Sequence, residues 1–172
     1  MNSILRKKKN FGYSLIEMVI YVSLLSMISI LVVNTILSFT GSYKNLLVLR
    51  KIEHSGISSM ERMTRDIRNS SVVEVSNSTL NQSPGVLTVS NTNSGTKVTT
   101  KFYVQDGVLK VDVDGAYDGP VTISDTNVSN LVFSLIDNGA SQAVKIDLTV
   151  ESNLGDISKS KTYHSTVVLR GS

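Results

Sequence analysis

The chain reads as an α+β protein: one long N-terminal helix, apolar in its first half and amphipathic in its second, followed by antiparallel strands. Three observations predict this. Between Tyr13 and Phe39 the only charged residue is Glu17. Leu49, Ile52, Gly56, Met60, Met63 and Ile67 then recur at three- and four-residue steps, which sets them on one stripe of a helix. From Val72 the apolar period changes to two, as in a strand with one wet and one buried face. A helix followed only by strands is expected to lay its stripe on one face of an antiparallel sheet.

In chain order the sequence divides into a basic leader (1–12), an apolar helix (13–40), its amphipathic continuation (41–70) and a β domain (71–172). The apolar stretch exceeds the roughly 20 residues needed to cross a bilayer. Arg6, Lys7, Lys8 and Lys9 precede it, and the positive-inside rule assigns them to the cytoplasmic side and everything after Phe39 to the outside. Gly41-Ser42 is the one soft spot before the amphipathic stripe. Glu61 with Arg65 and Arg62 with Asp66 stand four apart on the outer side of that stripe, the spacing of exposed helical ion pairs. Asn69-Ser70-Ser71 ends the helix, because these side chains compete for backbone hydrogen bonds. A single helix from Tyr13 to Asn69 would be about 85 Å long.

Lys145, Asp147, Thr149 and Glu151 alternate with Val144, Ile146, Leu148 and Val150, a half-buried strand. Similar runs cover Val86–Ser90, Val98–Val104, Val108–Val113, Val128–Ile136 and Tyr163–Leu169, with Val72–Val75 a further short strand. Asp106-Gly107 between two of them marks a hairpin turn with positive φ. Ser76–Pro84 and Asn91–Thr96 read as loops.

Composition narrows the function classes. The formal charge is +3, from 17 Lys and Arg against 14 Asp and Glu. Four of those cations lie in the leader, so the rest of the chain has 13 against 14, a net of −1, and offers no basic surface for nucleic acid. Cysteine is absent, which excludes disulfides and thiolate metal sites. The only histidines, His54 and His164, have no accompanying catalytic motif, so no enzyme activity, cofactor or small-molecule substrate is expected. Asp112, Asp114 and Asp118 around Gly115 superficially resemble a calcium loop, but the closing glutamate is missing, and Asp and Gly are ordinary turn formers.

Glu17 is the anomaly. A carboxylate inside hydrocarbon costs roughly 2.5 to 3.5 kcal/mol on insertion scales and marks a functional site by default. Near a helix N-terminus the macrodipole favours an acid, which accounts for its tolerance. The macrodipole does not account for its coincidence with Gly12, the aromatic Tyr13 and the basic leader. Together, Arg6 to Lys9, Gly12-Tyr13, Glu17 as the fifth residue after the glycine and the apolar helix resemble the N-terminal signal of type IV pilins and type II secretion pseudopilins.

The resemblance implies that a prepilin peptidase cuts between Gly12 and Tyr13 and methylates the new Tyr13 amine. The fold implied is a long helix wrapped by an antiparallel sheet. The chain would begin as a single-pass inner-membrane protein with its C-terminal domain outside, then join a filament at the cell surface or in the periplasm, with other pilin or pseudopilin subunits as partners. In that setting Glu17 of one protomer is neutralised by the amine of another. Tyr13 stands where the family most often has phenylalanine, and Asn34 where many major pilins have a helix-kinking proline. The segments Met63 to Arg68, Val128 to Ile136 and Val167 to Arg170 resemble minor subunits near pseudopilin J. Motility, DNA uptake and protein secretion all use this signal, so subunits of a pilus, a secretion system or a competence pseudopilus fit it equally. From another class, an uncleaved single-pass adhesin or binding protein fits the same anchor. An ordinary secretory signal fits poorly, since the apolar run is too long and the first alanine is Ala116.

Overall fold

The computed structural model describes residues 12–93, 96–139 and 141–170. It contains one long helix, α1 (Leu15–Arg68), followed by eight strands: β1 (Val72–Val73), β2 (Leu87–Asn93), β3 (Thr96–Gln105), β4 (Val108–Val113), β5 (Ala116–Pro120), β6 (Asn127–Asp137), β7 (Gln142–Leu154) and β8 (Ile157–Val168). The chain divides into two compact units, residues 1–43 and 44–172. The α+β class and the long N-terminal helix are as the sequence predicts.

The first unit carries α1 from Leu15 to Tyr43. It is long and apolar enough to cross a membrane, and none of its apolar window is buried. Helical hydrogen bonding continues through Asn34 and through Gly41-Ser42. Its small polar residues bond back onto the helix. Ser26 donates to the Val22 carbonyl, Ser29 to Leu25, Thr35 to Leu31 and Thr40 to Ile36, at 2.8 to 2.9 Å. These hydroxyls therefore carry no unmet donor into an apolar environment.

In the second unit the rest of α1 buries a stripe of Val48, Ile52, Ser55, Gly56, Ser59, Met63 and Ile67. Ile52, Gly56, Met63 and Ile67 follow the predicted spacing. Leu49 is instead 41% exposed and Val48 takes its place in the core, because Ser55 and Ser59 rotate the buried face away from Leu49 and give no hydrophobic signal of their own. Arg62 pairs with Asp66 at 2.7 Å as spaced, whereas Arg65 reaches Asp66 rather than Glu61.

The strands form two antiparallel sheets, not one: β1-β2-β3-β4-β5 and β6-β7-β8. Leu87, Val89, Phe102, Leu109 and Val111 from the first and Leu131, Phe133, Ile146 and Leu148 from the second join the α1 stripe in one hydrophobic cluster. Val144, Ile146, Leu148 and Val150 are all fully buried, as their alternation predicts. Asp106 and Gly107 have φ of 55° and 73°, the left-handed pair that a tight β3–β4 hairpin needs. The Gly107 carbonyl accepts from Val128 N–H at 2.7 Å, tying this turn to the start of β6. Across the edge of β6, Asn81 N–H bonds the Phe133 carbonyl and Gly85 N–H the Leu131 carbonyl, both at 2.8 Å.

Asp112 to Gly119 is not the single solvated turn the sequence suggests. Asp114-Gly115 alone makes a tight turn, with φ of 52° and 79°, and Ala116–Pro120 returns as β5. The register shifts opposite Val111/Asp112, and the bulged Asp118 reaches Arg62 at 2.8 Å. Asn91–Thr96 is likewise mostly ladder, since β2 and β3 pair out to Asn93 and Thr96.

Candidate functional site

The residues singled out by the sequence gather at the N-terminal end of α1. Gly12, Tyr13 and Ser14 precede the helix as exposed, non-helical chain, and Tyr13 is 75% exposed. The helix starts on the Ser14 carbonyl, which accepts from Glu17 N–H at 3.0 Å and Met18 N–H at 3.2 Å. Glu17 thus lies in the first turn, where the helix dipole favours a carboxylate. Arg6, Lys7, Lys8 and Lys9 lie outside the described residues.

A partner of Glu17 that the sequence reading missed is Tyr21, whose hydroxyl donates to Glu17 Oε1 at 2.9 Å. The signal was available, since residues four apart on a helix are neighbours. The bond gives the acid one donor within its own helix. Among the described residues no cation pairs with this carboxylate. Around this pair Leu15, Ile16, Met18, Val19 and Ile20 are all exposed. The Gly12-Tyr13 peptide bond is thus exposed, non-helical chain one turn before a partly exposed carboxylate in an apolar stretch of helix.

The other candidate chemistry resolves into structural contacts. Asp112 accepts from the Tyr103 hydroxyl at 3.1 Å, Asp114 from Thr99 N–H at 2.7 Å, and Asp118 pairs with Arg62. The three carboxylates therefore turn to separate partners instead of one centre. Among the described residues no group of three or more acids and histidines is placed to hold a metal ion. His54 is exposed on α1. His164 on β8 meets Asp147 on β7 at 2.5 Å, and Lys145 meets the same carboxylate at 3.0 Å. The His164 hydrogen bond, with a smaller contribution from Lys145, holds the Asp147 carboxyl below its ordinary range. This group sits on the wet face of the β7–β8 pair. No protein-family model, curated protein or solved structure matches the chain.

Proposed function

We propose that the chain is a non-catalytic subunit of a type IV pilus-like filament, a minor pilin or pseudopilin, cut between Gly12 and Tyr13 and methylated at the new Tyr13 amine. The observation that carries this reading is the single acid, Glu17, in the first turn of an unburied apolar helix, directly after the exposed Gly12-Tyr13 junction. Removing the leader creates an amine one helical turn from that acid. Two such helices side by side exchange amine for carboxylate, and each charge gains a partner that a lone span lacks. The basic leader orients the precursor with its β domain outside the inner membrane, and the prepilin peptidase and neighbouring subunits are the partners this process requires.

Mass spectrometry of the mature protein is expected to find a methylated Tyr13 N-terminus. An intact Met1 or a terminus near Ser42 overturns the proposal. Glu17→Ala is expected to leave cleavage intact and lower incorporation into sheared filaments by about tenfold or more, the consequence of removing one member of a desolvated charge pair. Normal incorporation of that variant removes the charge-pairing step.

One observation favours a second reading. The Tyr21 hydroxyl on Glu17 eases the acid within a single helix, as an uncleaved membrane-anchored adhesin would require. Fractionation separates the two, because sheared filaments carry a subunit and lack a resident anchor.

A further inference from the structure

The three-stranded sheet has one covered edge and one bare edge. The outer edge of β6 receives the Asn81 and Gly85 N–H groups. The outer edge of β8 receives no backbone hydrogen bond from any described residue between Ile157 and Val167. Alternate residues of an antiparallel edge strand turn their N–H and C=O outward, which makes a template for another extended chain. Over the first half of β8, Lys159 and Lys161 charge the strand, and Lys161 bridges to Glu53 on α1 at 3.0 Å. Beyond that bridge the strand and helix open into a groove of about 730 Å³.

Tyr163, His164 and Ser165 line this groove in succession. Successive strand residues point to opposite faces, so a groove that touches all three runs along the strand's edge. Its opposite wall is the flank of α1. Ile57, which is 58% exposed, Met60 and Tyr163 supply the apolar part. At the far end stand Arg65 and Arg68. Arg68 forms no ion pair among the described residues, and Arg65 has only the 3.6 Å contact with an Asp66 already held by Arg62.

We propose that this groove takes an extended segment of a partner protein, added as a strand beside β8, with an apolar side chain over Ile57, Met60 and Tyr163 and a carboxylate on Arg65 and Arg68. The spacing fixes the pattern. The apolar and basic ends of the wall lie about eight helical residues apart, roughly 12 Å, which an extended chain covers in about four residues. Of the three- and four-residue spacings near that length, only four, being even, sets both side chains on the same face. The open ladder supplies affinity and the two anchors supply selectivity. Arg65 and Arg68, two cations against the one acid of this wall, Glu61, favour an acid over a base at the second anchor. This inference rests on residues 53–69 and 157–168 alone and is independent of processing at Gly12 or of assembly.

The test uses the full chain in lipid nanodiscs and a fluorescent, end-capped peptide, Ser-Thr-Leu-Thr-Val-Thr-Asp-Ser, read by anisotropy. Saturable binding is expected, weakened by about tenfold or more by Arg65→Glu with Arg68→Glu and by lysine in place of the peptide's aspartate. N-methylation on alternate peptide residues is expected to abolish binding in one phase and spare it in the other, a signature of ladder pairing that needs no change to the protein. Absence of saturation up to about 1 mM, equal binding of a scrambled peptide, or indifference to both charge reversals and N-methylation overturns the proposal. So does a β8-to-β8 dimer of the chain itself occupying the same edge.

Discussion

The two stretches of α1 share a secondary structure and differ in almost everything else. From Leu15 to Tyr43 the apolar side chains face outward all round; from Lys44 to Arg68 one stripe is sealed and the rest is wet. Hydroxyl groups show the contrast best. In the first stretch Ser26, Ser29, Thr35 and Thr40 bond back to carbonyls of their own helix. In the second, Ser55 reaches the Thr126 hydroxyl at 2.9 Å and Ser59 the Val121 carbonyl at 3.4 Å, both outside the helix. The same residue types hide polarity where the surroundings are to be apolar and make tertiary contacts where the surroundings are protein. Helix propensity accounts for neither; the difference lies in what each surface is expected to meet.

The largest expected effect that tests this contrast is in packing. Ile52→Ala, at a fully buried position, is expected to cost about 2 to 5 kcal/mol in denaturant unfolding of the full chain in micelles. Ile28→Ala, at a position 59% exposed, is expected to change it by less than about 0.5 kcal/mol. Equal losses would mean that the first stretch has tertiary packing of its own. Next comes Gly56, where an added Cβ would fall well inside contact distance of the Tyr163 ring. Gly56→Ala is expected to cost about 1 to 3 kcal/mol by overpacking. Combined with Tyr163→Ser, its further cost is expected to shrink by more than about 0.5 kcal/mol in a double-mutant cycle, and additivity would place the strain elsewhere.

The smallest effect is electrostatic and confined to the second unit. The Lys97 and Ser90 hydrogen bonds hold the Glu74 carboxyl below its ordinary value, and His164 and Lys145 do the same for Asp147. A folded-state pKa below the unfolded one contributes stability that is present above the unfolded value and lost as pH falls through the folded one. Stability of the β domain is therefore expected to decline from about pH 4 downward. Glu74→Gln with Asp147→Asn should flatten that decline. An unchanged acid limb would assign it to other groups.

Periodicity made the buried faces of α1 and β7 readable, because large apolar residues mark them directly. It failed where burial is carried by small or polar residues. Ser55 and Ser59 are buried in the helix contact yet carry no apolar signal, and Leu49 stood in the predicted stripe where Val48 is buried. β5 has one aromatic, Tyr117, among Asp, Gly and Pro; it forms as an edge strand with a bulge, the setting in which proline and glycine are tolerated. β8 begins at Ile157, six residues before its predicted start at Tyr163. Lys159 and Lys161, opposite the buried Ser152 and Val150, are themselves exposed, and their charges hide the alternation while Lys161 reaches Glu53. Two sheets instead of one follow from the link at residues 121–126, which no periodic signal describes. At the candidate site, the Gly12-Tyr13 junction and Glu17 were legible as a pattern of residue types, whereas the Tyr21 hydroxyl needed only the four-residue rule to be found.

The Gly56–Tyr163 contact bears on how the second unit responds to force. The Tyr163 hydroxyl donates to the Ile52 carbonyl at 3.2 Å while its ring fills the space left by the missing Cβ of Gly56. One turn to either side of Gly56 stand Ile52 and Met60, each too large for that space. A pull along the axis of this part of α1, in either direction, must therefore drag a bulky side chain past an aromatic ring before the helix can slide. The seat works as a mechanical detent, resisting tension and compression alike through shape.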